Sequence, residues 1–275
     1  MTDIAPDEDS RAPLRDWNAG SYHRVSDPQF AWGLRVLRGL SLRGDERVLD
    51  AGCGTGRLTR ELAARVPNGL TVGCDLSENM LRAAASALSA DGAGSAACPV
   101  VLARADLLAP PWSRCFDVVF SGATFHWIRD HDRLCAALRG VLAGGGILEA
   151  QCGGGPNLAR TLGRAKALAA TAPYRAHFTD WREPWNFSSP DEAEGRLRRA
   201  GFARARCWLE AAPTSFPDAN AYRAFLETVV MRPFLAVLPA ESLRARFIDE
   251  LVTRAQDDDP PFVLDYWRLN LSAAA

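Results

Sequence analysis

The chain alternates between short apolar runs and longer segments in which apolar residues recur every three or four positions. Short runs closed by glycine or a polar residue predict buried strands, and the longer segments predict amphipathic helices. The predicted strands lie at residues 47–50, 70–75, 100–102, 116–120 and 147–151. The predicted helices lie at residues 27–40, 58–66, 77–88 and 130–142. Repeated alternation of strand and helix favours an α/β fold, with a parallel sheet covered on both faces.

Residues at the ends of these segments fit their predicted starts and stops. Asp27 is a predicted cap for the first helix, with Pro28 in its first turn, and Ser77 is a predicted cap for the helix after the second strand. Three glycines at 144–146 predict a turn before the fifth strand.

The regular alternation of predicted strands and helices ends after residue 151. A helix at 158–170 and an aromatic-rich loop follow, and Ser189 and Pro190 start another helix. A strand is predicted at 205–209, a helical region at 219–256 interrupted at Pro233, and a last strand at 262–271. Two inserted helical stretches suggest a lid over the carboxyl edge of the sheet, where open α/β sheets bind ligands. The predicted organisation is a mobile tail (1–16), a core (17–151), a helical lid (152–187 and 213–260) and the rest of the core sheet (188–212 and 261–275).

Composition and charge exclude several classes of protein. Hydrophobic residues make up 48% and charged residues 24% of the chain, and the formal net charge is −1. This composition is typical of a globular protein. A net charge near zero creates no overall electrostatic attraction to nucleic acid or to an anionic membrane. No apolar run reaches the length of a membrane span, and the acidic N-terminal residues do not resemble a signal peptide. Seven scattered cysteines without a CxxC pair predict a reduced, cytoplasmic protein with neither disulfides nor a metal site.

The most informative motif is the sequence DAGCGTG at positions 50–56, between a predicted strand and a predicted helix. Glycine at 52, 54 and 56 opens the backbone to a ligand and permits unusual dihedral angles. A dinucleotide-binding loop has the spacing GxGxxG, whereas position 57 here is Arg57. Asp50 would repel a pyrophosphate but suits a ligand that carries an ammonium and a sulfonium group.

Two further acids follow the next two strands. Asp75 ends the second strand, where a carboxylate can accept hydrogen bonds from both hydroxyls of a ribose. Asp106 follows the third strand and can reach an adenine amino group. The alternative role for each is a helix cap or a turn residue. Three acids at successive strand ends beside a glycine loop favour a nucleoside site.

The segments at 48–59, 72–81 and 116–128 resemble the successive motifs of class I S-adenosylmethionine-dependent methyltransferases. More narrowly, the sequences WNAGSY (17–22), SDP (26–28), FHW (125–127) and MRPFL (231–235) resemble the trans-aconitate methyltransferase group. The resemblance implies a Rossmann-like, doubly wound, mostly parallel seven-stranded sheet with an inserted helical lid. It also implies that S-adenosylmethionine binds and that S-adenosylhomocysteine is the product.

The resemblance assigns the cofactor contacts along the chain. The loop glycines and Asp50 would hold the methionine part, Asp75 the ribose, and Asp106 with Leu107 the adenine. The region after the fourth strand, residues 121–123, would border the sulfonium. The predicted cofactor residues are Asp50, Gly52, Cys53, Gly54, Thr55, Gly56, Asp75, Leu76, Met80, Asp106, Leu107, Ser121, Gly122 and Ala123.

Four residues are candidates for the acceptor site. His126 and Trp127 can both donate to a carboxylate, and His126 can instead act as a base towards a hydroxyl. The alternative is that residues 125–128 form a packed aromatic cluster in which the backbone satisfies the histidine. Arg232 is a candidate carboxylate clamp, with a structural ion pair as the alternative. Tyr22 lies in a segment that resembles a flap over the cofactor, or it anchors the N-terminal region. The other histidines, His23, His131 and His177, are expected at the surface.

These residues leave several functions open. The leading hypothesis is methylation of the carboxylate oxygen of a small, trans-aconitate-like acid, by a monomer or dimer. Alternatives are a carrier-bound malonyl group, with the arginine-rich stretch 196–206 as a docking surface, or a hydroxyl or carbon of a secondary metabolite. A different class is a non-catalytic S-adenosylmethionine-binding protein. A nicotinamide dehydrogenase is disfavoured by Arg57 in place of the final glycine.

Overall fold

A computed structural model describes residues 26–90 and 98–275, and all structural statements below refer to these ranges. The predicted tail, most of the flap, Tyr22 and His23 lie outside them.

A seven-stranded sheet in the order β3-β2-β1-β4-β5-β9-β6 organises the fold. Its strands are β1 (Arg47–Ala51), β2 (Leu70–Asp75), β3 (Val100–Arg104), β4 (Phe116–Gly122), β5 (Leu142–Gly153), β6 (Arg204–Ala211) and β9 (Trp267–Ala274). The first five are parallel, and β9 runs antiparallel between β5 and β6. This is the predicted Rossmann-like, mostly parallel sheet. A separate two-stranded ladder joins β7 (Thr214–Ser215) to β8 (Val263–Leu264).

Helices connect the strands on both sides of the sheet. They are α1 (Asp27–Gly39), α2 (Arg57–Arg65), α3 (Glu78–Ala90), α4 (His131–Val141), α5 (Ala159–Ala169), α6 (Pro190–Arg199), α7 (Ala219–Phe225), α8 (Arg232–Leu235) and α9 (Glu241–Gln256). A π-helical turn, Leu226–Val230, joins α7 to the residue before α8. Predicted starts at Ser77 and Ser189 are confirmed, since both side chains accept a backbone N–H of the first helical turn.

Several predicted boundaries are wrong. Asp27 is not a cap but lies inside the first turn of α1, where its carboxylate pairs with Arg57 at 2.9 Å. The glycines at 144–146 lie within β5, where the register with β4 shifts, rather than in a turn before it. The predicted strand at 262–271 is divided between β8 and β9 because they belong to different sheets. The helical region breaks after α8, at residues 236–240, and not at Pro233, which lies in the first turn of α8.

Buried side chains form clusters on both faces of the sheet. Leu49 and Ala51 of β1 pack on one face with α4 and α6, whereas Val48, with the opposite parity, packs with α1 and α2. A third cluster joins α5, α7, α8 and α9, and it includes Trp32 of α1 and Tyr266. The rings of Trp32 and Tyr266 are 5.0 Å apart, so this cluster adjoins the sheet next to the start of β9.

The direction of the strands determines which residues meet at the carboxyl edge. The five parallel strands end there at Ala51, Asp75, Arg104, Gly122 and Gly153. Because β9 is antiparallel, it begins at that edge, and Arg268 lies opposite Gly153.

Candidate active site

The glycine loop bends back over the end of β2. The N–H groups of Gly52 and Cys53 both donate to the carbonyl of Cys74, at 2.8 and 2.9 Å. Gly52, Gly54 and Gly56 all have positive φ, between 54° and 81°. A Cβ on Gly52 would lie 2.7 Å from Cβ of Thr124, whereas a Cβ on Gly54 would have no protein atom within 4 Å. Gly52 is therefore required by packing, and Gly54 leaves open space beside the backbone for a ligand.

Asp75 connects the end of β2 to this loop. Its Oδ2 accepts the N–H of Gly54 at 3.0 Å, and its Oδ1 accepts the N–H of Ser77 at 2.8 Å. A carboxylate offers about four acceptor positions, so it can orient the loop and also accept from ribose hydroxyls.

Asp50 is a buried acid below the loop, with 1% of its surface exposed. Thr59 Oγ1 donates to it at 2.7 Å. Burial raises the pKa of Asp50 to about 7; the Thr59 hydrogen bond opposes this shift and the charge of Asp75 adds to it. A cationic group bound beside Asp50 would stabilise its ionised form.

The other predicted cofactor residues lie around these acids. Cys53, Thr55, Met80 and Leu107 are buried, whereas Leu76 is 63% exposed immediately after Asp75. Asp106 is exposed, and its Oδ1 accepts the N–H of Leu108 at 2.9 Å. Asp106 therefore stabilises the turn that follows β3, which was the alternative to adenine binding. Its other carboxylate oxygen can still accept a hydrogen bond from a ligand.

The end of β4 is tied to the glycine loop by hydroxyl groups. Ser121 Oγ donates to the carbonyl of Ala51 at 2.6 Å, and Thr124 Oγ1 donates to that of Gly52 at 3.2 Å. Between them, Ala123 has φ +57°, a conformation that is unfavourable for alanine. Its N–H donates to the carbonyl of Gln151 at 2.7 Å, which helps to hold it there. Ser121, Gly122 and Ala123 thus lie at the same edge as Asp50 and Asp75.

His126 and Trp127 follow in a short 3₁₀ turn, Phe125–Trp127. His126 Nδ1 accepts the N–H of Gly153 at 3.3 Å, and its ring stacks on Phe187 with centroids 6.0 Å apart. Burial lowers the pKa of His126 well below its usual value, and the positive charge of Arg268 lowers it further. The imidazole is therefore neutral at pH 7, and with Nδ1 accepting, its proton is on Nε2.

Aromatic rings connect this turn to α8. The ring of Trp127 is 5.7 Å from Trp185, and Trp185 is 6.3 Å from Phe234. Arg232, the predicted clamp, is the first residue of α8 and follows the π-helical turn. It is half-buried.

The sequence predicts His131 at the surface, but in the structure the residue is buried, with 8% of its surface exposed. Its Nε2 lies 2.9 Å from the carbonyl of Phe125 and its Nδ1 lies 3.0 Å from Ser188 Oγ. These hydrogen bonds hold the backbone immediately before His126. The partner Ser188 is 57 positions away, which is why sequence context did not reveal the burial. His177 is half-exposed.

Sequence reasoning missed a set of polar residues on β5 and β9. Arg268, Asn270 and Gln151 are all at most 5% exposed, on the face of the sheet that carries α1. Gln151 Nε2 donates to Asn270 Oδ1 at 2.7 Å. The alternation of polar and apolar residues from 268 to 273 was the available signal, but it is also typical of a solvated strand face.

The arginine-rich stretch is largely engaged within the chain. Arg199 pairs with Asp132 at 2.7 Å, Arg198 with Glu194 at 3.1 Å, and Arg196 with Asp132 at 3.6 Å. In the part of the chain that the structure describes, no group of three or more His, Cys, Asp or Glu side chains is arranged to hold a metal ion. None of the helices within residues 26–90 and 98–275 has the length and apolar character needed to cross a membrane.

Comparison with known proteins agrees with this geometry. A family model described as a methyltransferase domain matches residues 48–146. The trans-aconitate 2-methyltransferase of Methylobacterium radiotolerans is 31% identical over 251 residues, which cover 90% of this chain and 92% of that protein. The chain belongs to the class I S-adenosylmethionine-dependent methyltransferases.

Other relatives of this methyltransferase support the assignment. The trans-aconitate 2-methyltransferase of Variovorax paradoxus is 29% identical, over 90% of this chain and 92% of that protein. Among solved structures, the cyclopropane synthase MmaA2 of Mycobacterium tuberculosis is similar with a TM-score of 0.61 and 16% identity, over the full length of both chains. The phosphoethanolamine N-methyltransferase 2 of Haemonchus contortus, in complex with S-adenosylhomocysteine, has a TM-score of 0.58 and 20% identity over 94% of this chain and 56% of that one. These two structures show the same fold. The enzyme uses S-adenosylmethionine.

Proposed function

We propose that this methyltransferase transfers the methyl group to a carboxylate oxygen of a small organic acid of the trans-aconitate type. The proposal is supported by the relatives with that activity in their names. The observation that carries it is the hydrogen bond from the N–H of Gly153 to His126 Nδ1, since it assigns the proton of the neutral imidazole to Nε2. This nitrogen is a donor, as carboxylate binding requires, and in this tautomer it cannot accept a proton from a hydroxyl or a carbon acid.

The predicted cofactor residues fit S-adenosylmethionine. The open space at Gly54 leaves the backbone accessible to the cofactor. The oxygens of Asp75 can accept hydrogen bonds from the ribose. The buried acid Asp50 can balance the positive charge of the methionine part. We assign Asp50, Gly52, Gly54, Gly56 and the end of β4 to the methionine side. Asp75, Leu76 and Met80 are assigned to the ribose and the adjoining adenine, and Asp106 with Leu107 to the adenine.

The reaction needs little proton chemistry from the protein. Bound S-adenosylmethionine supplies an electrophilic methyl carbon on a sulfonium group. One oxygen of the acceptor carboxylate would form the new C–O bond as the C–S bond breaks, and the electron pair of the C–S bond would stay on sulfur. A carboxylate is ionised at neutral pH, so the contribution of His126 and Trp127 is to orient it, and positioning is a major source of acceleration in such displacements.

Helix α5, which follows β5, and the helices between β7 and β8 are proposed to act as the lid. Arg232 is assigned to the acceptor side, because Phe234 on the same helix is connected through Trp185 to Trp127. No observation favours a carrier-bound acceptor, since Arg196, Arg198 and Arg199 already pair with acids of the same chain.

The test is mass spectrometry of a panel incubated with enzyme and S-adenosylmethionine. The panel contains trans-aconitate, other di- and tricarboxylates, malonyl thioesters, phenols and amines. We expect a gain of one methyl on a polycarboxylate, and mild alkali should return the original acid because the product is an ester. Methylation that resists alkali, or methylation of a phenol or amine alone, would refute the proposal.

A further inference from the structure

One buried positive charge lies beside the proposed acceptor site. Arg268 is 2% exposed and is the second residue of β9, at the carboxyl edge opposite Gly153. A Cβ on Gly153 would lie within 2.9 Å of both Asn157 and Phe187, and Phe187 stacks on His126. The charge of Arg268 is close enough to lower the pKa of His126. Arg268 is therefore adjacent to the turn assigned to the reacting carboxylate.

The guanidinium is held in a defined orientation. Its Cζ lies 4.5 Å from the centre of the Trp32 ring, a cation–π geometry. Stacking of this kind uses the flat face of the group and directs its N–H groups along the edge, where they can meet a planar carboxylate. Glu210, opposite Arg268 in register, pairs with Arg35 at 3.4 Å.

Asn270, two residues after Arg268 on β9, forms a buried amide pair with Gln151 that has unused hydrogen-bonding atoms. Gln151 Nε2 donates to Asn270 Oδ1, while Gln151 Oε1 and Asn270 Nδ2 are buried and have no hydrogen-bond partner within the described residues. If the nitrogen and oxygen positions of both amides are assigned the other way round, the result is the same: one buried N–H₂ group and one buried carbonyl oxygen are unsatisfied. A native fold rarely leaves such atoms without a role.

We propose that Arg268, with the Asn270–Gln151 amide pair, forms a subsite for a second, non-reacting carboxylate of the acceptor acid. The guanidinium neutralises that carboxylate, the unsatisfied amide N–H₂ donates to it, and the carbonyl oxygen accepts from a hydroxyl of the acid or a water beside it. This inference rests on the proposed function and implies that acids with at least two carboxylates are preferred over monocarboxylates. A monocarboxylate would leave the Asn270–Gln151 amide pair without a ligand.

The test compares trans-aconitate with crotonate, which keeps an unsaturated carboxylate but lacks the others. Kinetics are measured for wild type, Arg268→Gln, Arg268→Lys and Asn270→Asp. For the Arg268→Gln and Asn270→Asp variants we expect KM for trans-aconitate to rise roughly 30-fold or more, as for loss of a buried charged hydrogen bond. KM for crotonate should change less than roughly threefold, and Arg268→Lys should recover part of the difference because it keeps the charge.

Arg206→Gln is the matched control, since Arg206 also stacks on a tryptophan, Trp208, but is exposed on the neighbouring strand. It should leave both KM values unchanged. Binding of S-adenosylhomocysteine by calorimetry, expected to be unaltered in all variants, separates a subsite from a general loss of structure. If Arg268→Gln and Asn270→Asp raise KM for both acids equally, or for neither, the subsite is refuted.

A second measurement separates this inference from the proposed function. Protein loaded with S-adenosylhomocysteine is titrated with tricarballylate, a tricarboxylate that is bound without needing to react. Binding that is lost in Arg268→Gln supports the subsite even if no acid is methylated. Methylation of trans-aconitate with unchanged KM in both variants supports the function and overturns the subsite.

Discussion

The carboxylate of Asp75 accepts the backbone N–H of Gly54 at 3.0 Å, so the end of β2 fixes the glycine loop that follows β1. One acid thereby orders the loop and is itself positioned at the carboxyl edge. The ligand-binding role of Asp75 can be separated from this structural role by choosing substitutions that keep an acceptor oxygen.

Asp75→Ala should weaken binding of S-adenosylhomocysteine roughly 30-fold, since hydrogen bonds to a charged group are worth about 2 kcal/mol. Asp75→Asn keeps one acceptor oxygen and should have a smaller effect. Calorimetry measures both. The control is Asp45→Ala, at an exposed loop position, which should bind like wild type. Unchanged affinity in Asp75→Ala would contradict the ribose assignment.

Asp50 should couple cofactor binding to proton release. Burial raises the pKa of Asp50 to about 7 in the ligand-free protein, and a cationic ligand lowers it, so protons leave on binding. Release should be close to its maximum at about pH 6, fall to about half near pH 7 and be small above about pH 8, where Asp50 is already ionised.

Calorimetry in two buffers with different ionisation enthalpies measures this release, and Asp50→Asn should abolish it. The same raised pKa makes the ligand-free fold less stable as pH rises from the unfolded value of 3.8 towards 7. Equal proton release by wild type and Asp50→Asn would show that another group is responsible.

His126 should orient the acceptor rather than act as a base. Because its pKa lies well below the usual value, the imidazole is neutral throughout the physiological range, and kcat should show no histidine limb between about pH 6.5 and 8. His126→Ala should raise KM for the acid roughly tenfold, the cost of about one lost hydrogen bond. His126→Gln offers an N–H donor and should recover part of the loss. A limb near the ordinary histidine pKa that disappears in His126→Ala would instead identify a base.

Gly52 should tolerate no side chain, for two separable reasons. The φ angle of Gly145 is +77°, close to the +81° of Gly52, but a Cβ on Gly145 would have no atom within 4 Å. The Gly145→Ala variant therefore measures the conformational strain alone. We expect Gly145→Ala to lower the free energy of unfolding by about 1–2 kcal/mol. Gly52→Ala adds the collision with Thr124 and should cost about 2 kcal/mol more. Urea unfolding measures both, and equal losses would show that Thr124 moves aside freely.

Local sequence patterns were sufficient to predict where Asp50 and Asp75 lie in the fold. Asp50 and Asp75 each lie at the end of a strand whose limits follow from apolar runs, and parallel pairing then brings the two ends together. His131 and Arg268 were not predictable in this way. The burial of His131 depends on Ser188, and the position of Arg268 depends on the antiparallel direction of β9, and both are tertiary relationships between distant segments. The glycines at 144–146 were interpreted as a turn because glycine marks turns and bulges alike.

The place of β9 between β5 and β6 has a consequence for how the molecule is made. Gln151 and Asn270, hydrogen-bonded neighbours in the finished sheet, are separated by 119 positions. During synthesis β5 can pair with β4, but its other edge has no partner strand until the intervening helices and β9 have been made. Contacts over such separations form slowly, and we expect the exposed flank of β5 to be the region most in need of protection while the chain is still growing.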